Sequence, residues 1–240
     1  SSKQAAALAD EASAKAVALD GSSSEAMSAR AFALGSLHKF SDAEAEFKKA
    51  IALNPNNAQA RYFYAIVCLM SLNRMEEAES EFRTIISLDP LSSIVNVNYA
   101  VVLMDQRRYA DAEAQFKRVL QRDPNFMPAH FKLSHLYATM GRFPDAIDEL
   151  KKTQPMGDAS SQDAQGYFEL TKRITGADRS STIAMAAALM GDRNSAFEFL
   201  EKAYDDGDSS ILFMIRYPAI DSLRSDPRYA DLMKKIGLPL

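Results

Sequence analysis

The chain has 240 residues, 47% hydrophobic and 25% charged, with 28 basic against 32 acidic residues and a formal net charge of -4. That composition can bury a continuous core, and with no strongly basic segment to neutralise a phosphate backbone, direct nucleic-acid binding is not expected. The single Cys68 excludes an internal disulfide, and no apolar run approaches the roughly 18 residues of a membrane span, so no membrane insertion by this chain is expected.

Cys68 lies in the run IVCLM, which reads as a buried inert thiol compatible with a reducing, cytoplasmic setting. An anchor upstream would place the chain outside the cytoplasm instead. The chain opens on SSKQAAALADEA, with neither an initiator Met nor a signal peptide, and the expectation is a piece of a larger protein. Residues 1–22 read as one helix, Leu8, Ala12, Ala16 and Leu19 recurring at helical spacing until Asp20-Gly21-Ser22. Residues 24–153 then repeat one pattern. Ala43, Ala78, Ala112 and Ala146 form one column at steps of 35, 34 and 34; Phe47, Phe82, Phe116 and Leu150 form a second, and Pro55, Pro90 and Pro124 a third. Small alanine suits the place where two helix backbones approach most closely, the larger side chain fills the space beside it, and proline, lacking an N–H, stops the helix.

The first full copy runs from Ser24 to Asn57, and its Ser41-Asp-Ala-Glu44 predicts a capping box at the start of the second helix. The second copy, about 59–92, has Asn73 where a glycine is expected between its helices; the third, 93–126, has Arg107 there; the fourth, 127–160, has Gly141 and, in the next helix's first turn, Pro144. The register then shifts. Gly141 to Gly191 and Ala146 to Ala196 are each 50 apart, which predicts one extra helix at about 160–175 within an irregular segment, 154–178, flanked by Pro155-Met-Gly157 and Gly176. A further pair follows within 179–208, Ser180 to Met190 and Arg193 to Tyr204. Residues 209–240 read as a cap over the last apolar face, using Ile211, Leu212, Phe213, Ile220, Leu223, Tyr229 and Leu232, with Asp226-Pro227 opening a helix that Gly237 closes.

Two helices per 34 residues, ending on proline, resemble the tetratricopeptide repeat. The resemblance implies an all-α solenoid of antiparallel helix pairs, wound as a right-handed superhelix. The tail, LRSDPRYADLMKKIGLP after AFEFLEKAYDDGD, resembles the closing segment of such repeat regions in bacterial signalling proteins, winged-helix regulators and serine/threonine kinases among them. A regulatory interaction module is what that second resemblance implies.

Catalytic signatures are not found. His38, His130 and His135 make no ligand-spaced pair with a carboxylate or cysteine, and no nucleophile elbow, phosphate loop or dinucleotide fingerprint occurs, so neither an enzyme nor a metal or other cofactor is expected. Binding is the expected role. In the resembling family the first helix of each repeat lines a concave groove. The corresponding positions here are Phe32; Phe63, Tyr64, Val67 and Met70; Ile94, Val97, Asn98, Val101 and Met104; and Phe131, Lys132 and His135. Such a groove is apolar and aromatic, fitted to a protein or peptide with apolar anchors, although about half of these side chains could serve only to pack neighbouring helices. The clamp by which some family members grip a C-terminal carboxylate is incomplete: Asn98 and Lys132 fit it, but Phe63 and Val67 replace its first Lys and Asn, and the alternative register offers Ser28 and Phe32. Two rival readings stay open, a small-ligand sensor with an enclosed pocket near 155–180 and a homo-oligomer formed through the inner face or the tail.

Overall fold

The computed structural model describes residues 2–154, 159, 161–176, 179–208, 210–215 and 217–238, and among them every regular element is helical. The helices are α1 (Ser2–Leu19), α2 (Ser24–Ser36), α3 (Phe40–Leu53), α4 (Ala58–Phe63, continuing as a π-helix over Tyr64–Leu69), α5 (Met75–Leu88), α6 (Ser93–Asp105) and α7 (Tyr109–Arg122). They continue as α8 (Met127–Thr139), α9 (Phe143–Lys151), α10 (Ala164–Thr175), α11 (Ser180–Met190), α12 (Arg193–Asp206), the short α13 (Ile211–Met214), a 3-10 segment (Pro218–Leu223) and α14 (Pro227–Ile236). The chain divides into two compact units, Ser1–Val95 and Asn96–Leu240.

The columns seen in the sequence are the seams of the helix pairs. Ala43, Ala78, Ala112, Ala146 and Ala196 are all fully buried, and so are Phe47, Phe82, Phe116, Leu150 and Leu200. A third column marks the turns. His38, Asn73 and Arg107 hold positive φ of 59, 60 and 61°, and Gly141 and Gly191 take φ of 74 and 87° at the equivalent place. One left-handed residue is thus needed between the two helices of a pair, and the chain supplies it with whatever residue stands there. For a non-glycine residue this conformation costs roughly 1–2 kcal/mol, which packing of the following pair must offset.

In the first unit, α2 packs on α3 and on α4. Gly35 makes the second approach possible, since a Cβ there would lie 2.1 Å from Val67 Cγ1. The expected capping box is not formed. Helix α3 begins at Phe40 with Lys39 as its cap and no side-chain cap bond, and Glu44 is drawn away by stronger partners. Arg74 Nη1 donates to its carboxylate at 2.7 and 2.8 Å, Tyr64 Oη donates at 2.9 Å, and Lys48 pairs with it at 2.8 Å. Charge-assisted bonds of this kind outweigh one neutral bond to a helix N–H.

The second unit repeats the device one element at a time: Glu113 accepts from Tyr137 Oη and from Arg142 Nη1, each at 3.0 Å, and pairs with Lys117 at 2.7 Å. Here α7 packs on α8, α8 on α9, α9 on α10, α10 on α11 and α11 on α12. Helix α10, the extra one, is capped by Asp163, whose side chain accepts from Gly166 N. The flanking Pro155-Met-Gly157 lies outside the described residues. Helix α14 is capped by Asp226, carries Pro227 in its first turn, ends at left-handed Gly237 and packs on α12. The side chain of Phe213 lies outside the described residues.

Candidate functional site

The residues expected to line a groove divide into those that reach solvent and those that do not. In the first unit Phe32 is 42% exposed on α2 and its ring lies against Phe63 on α4, centroids 4.8 Å apart; Tyr62 stands beside Phe63 at 5.6 Å. Phe63 and Val67 are half-buried, and Ile94, the second residue of α6, is 42% exposed. Tyr64 and Met70 are buried. Tyr64 is not a groove residue: its ring sits near Phe47 and its hydroxyl binds Glu44, so it locks α4 onto α3.

In the second unit Val97, Val101 and Met104 on α6 and His135 on α8 are buried to 1% exposure or less, Asn98 and Phe131 are half-buried, and Lys132 donates from Nζ to Tyr217 Oη at 3.2 Å. The chain's own tail packs on α8, the helix that carries Phe131, Lys132 and His135. The 3-10 segment packs on α8 and α11, and α13 packs on α11 and α12. Ile211, Leu212, Met214, Ile215, Tyr217, Ile220 and Leu223 of this cover are 8% exposed or less. At about 1.5–3 kcal/mol for each large apolar side chain, their burial is worth on the order of 10 kcal/mol. The expectation that Val97, Val101, Met104 and His135 face a partner directly is therefore corrected: all four are buried, and the tail, besides capping the last pair, packs on α8, the helix that carries His135.

Beneath the cover lies a polar floor. Both carboxylate oxygens of Asp105 and both ring nitrogens of His135 are buried with no hydrogen-bond partner among the described residues. Burial pushes the Asp105 carboxyl up to about 8, against the pull of Lys132 and Arg224. Burial likewise lowers Lys132 to about 8, against Asp105, and holds His135 well below its ordinary value, helped by Lys132 and Arg179. Asp105 stands at the end of α6 and in the sequence looks like any helix-terminal acid.

His130 also departs from expectation. Its Nδ1 meets Glu149 Oε2 at 2.5 Å and its Nε2 meets the Pro124 carbonyl at 2.8 Å, a carboxylate pairing hidden in sequence by a separation of 19 residues. It ties α8 to α9, which gives it a structural task. Among the described residues no group of three His, Cys, Asp or Glu could hold a metal ion, and no helix is long and apolar enough to cross a membrane. A cavity of about 300 Å³ in the first unit is lined by Tyr64, Ile51 and Leu69 and by the charged Lys48, Glu77 and Glu81.

Comparison with known proteins gives these surfaces a context. The sequence matches the tetratricopeptide repeat family over residues 36–95 and 103–165, together a little over half of the chain. No curated protein matches it. Among solved structures, PilW, a type IV pilus biogenesis factor, is similar at 23% identity and a TM-score of 0.61, over 88% of this chain and 90% of its own. A tetratricopeptide repeat protein from Parabacteroides merdae is similar at 14% identity and a TM-score of 0.58, over 97% and 86%. YrrB, whose peptide-binding site is described as unusual, is similar at 20% identity and a TM-score of 0.51, over 86% and 97%. At these identities the likeness is one of fold. With its alanine, aromatic and turn columns in the seams of successive helix pairs, the chain belongs to the tetratricopeptide repeat family.

Proposed function

We propose that this chain is a protein-interaction module that grips a partner peptide or protein through the aromatic edge of its first unit, where Phe32, Phe63 and Tyr62 meet. The observation that carries this reading is the Phe32–Phe63 pair: two aromatic rings in contact on adjacent inner helices, one of them 42% exposed. Aromatic pairs left at a surface are costly unless covered, and they are the residue type on which partner binding energy concentrates. Ile94, exposed at the start of α6, adds a further apolar anchor of the same unit. The peptide-binding site described for YrrB agrees with such a role in a protein of similar fold. A regulatory part in a larger bacterial signalling protein is supported by the resemblance of the tail.

The experiment is a capture assay with the intact chain as bait, repeated with Phe32→Ala and Phe63→Ala. Circular dichroism serves to show that both variants keep their helices. Retention of the same partner should fall at least ten-fold in each. Equal retention by well-folded variants would remove the aromatic edge from the account.

A further inference from the structure

The cover on the inner helices of the second unit has features that set it apart from ordinary core. It has no long helix, only Ile211–Met214 and the 3-10 segment Pro218–Leu223, and it leaves α12 through Gly207 at a left-handed φ of 72°. Its beginning is fixed by Asp208, which accepts from Ser181 N, Ser181 Oγ and Ser210 N. Its middle is held by Tyr229 of α14, whose hydroxyl donates to the Ile215 carbonyl at 3.0 Å. Among the described residues it also meets the array through Lys132 with Tyr217 and through an ion pair of Arg107 with Asp221 at an exposed rim. It also leaves the floor unanswered. Buried polar groups in a settled core are hydrogen-bonded, yet among the described residues the Asp105 carboxylate and the His135 ring have no hydrogen-bond partner.

We propose that Ile211–Leu223 is a built-in competitor, which holds the inner face of the second unit shut and gives way to an extended partner peptide that matches its apolar side chains and brings a hydrogen-bond donor to Asp105. The partner's chemistry follows from what it must replace. The cover's apolar side chains are almost wholly buried, so a polar ligand cannot make good their loss and a segment of similar apolar area can. Lys132 and Arg224 already act on Asp105 electrostatically, so the missing donor is neutral, such as a glutamine or asparagine amide; a further cation would be repelled by Lys132. This site lies in a different unit from the aromatic edge of Phe32 and Phe63 and stands independently of it.

The test uses the full chain, a fluorescent synthetic peptide with the sequence of residues 211–223, and a series of that peptide with glutamine placed in turn at each position from 217 to 221. Asp221→Ala removes the rim ion pair and loosens the cover. Anisotropy should show the peptide binding this variant about two- to four-fold more tightly than the unaltered chain, as the loss of one exposed ion pair allows. Hydrogen exchange within 211–223 of the protein should rise as the peptide binds, with α2 and α4 unchanged. At least one glutamine peptide should bind a further ten-fold more tightly, and Asp105→Leu should remove that advantage. Phe32→Ala and Phe63→Ala should leave all these values as they are, which separates this outcome from the first-unit site. The proposal is overturned if Asp221→Ala gains no affinity, if peptide binds without raising exchange in 211–223, if no glutamine peptide gains, or if sedimentation shows the tails exchanged between two copies.

Discussion

At the residue scale, single side chains carry charges whose titration can be followed. Glu44 is held at about 2: burial opposes its ionisation, but bonds from Arg74, Lys48 and Tyr64 overcome it. A carboxylate with its pKa lowered on folding stabilises the protein above its ordinary value of 4.5, and that stabilisation is lost as pH falls through about 2. The expected contribution at neutral pH is about 2 kcal/mol, so Glu44→Gln should lower stability by roughly that amount in urea titrations at pH 7 and make little difference at pH 2. Asp105 behaves in the opposite sense. Its folded pKa of about 8 lies above its ordinary 3.8, so the folded protein holds an extra proton between these values and stability falls as pH rises toward 8. Lys132, lowered from 10.5 to about 8, makes stability rise again from 8 to 10.5. The second unit should therefore be least stable near pH 8, and a series of denaturation curves on Asp105→Asn and Lys132→Met should show the minimum shallower in each.

At the scale of an element, close approaches decide which substitutions a helix tolerates. Alanine is the better helix former, yet Gly35→Ala in α2 places a Cβ 2.1 Å from Val67 Cγ1, on a β-branched side chain with no freedom to turn aside. A loss of about 1–3 kcal/mol is expected, read as a lower melting temperature. In α10, Gly166→Ala puts a Cβ 1.8 Å from the Ser161 carbonyl oxygen and should loosen the helix start that Asp163 caps. Faster amide exchange over residues 164–170 would report it, and an unchanged exchange pattern would refute the close packing described. The helices themselves were legible in the sequence because Ala43, Ala112 and their equivalents keep one register. The capping box at Ser41–Glu44 was misread because a local motif says nothing of Arg74 and Tyr64, which arrive from the next helix pair and claim the same carboxylate. The signal for that pairing was present in outline: Glu44 and Glu113 each follow a column alanine, and Arg74 and Arg142 each follow a turn residue.

At the scale of the whole molecule, the two units put the same kind of helix to different use. In the first, inner positions such as Phe32 and Phe63 keep an aromatic edge in solvent; in the second, the inner positions Val101, Met104 and His135 are buried, and elements of Ile211–Leu223 pack on α8, α11 and α12. The family resemblance placed all these residues on inner helices but could not tell an open surface from a buried one, because the segment that packs on α8 lies far away in sequence and is itself irregular. Hydrogen exchange on the intact chain bound to its captured partner tests the account most directly. New protection is expected along α2 and α4, around Phe32 and Phe63, and a captured partner that leaves α2 and α4 unchanged would contradict the first-unit site.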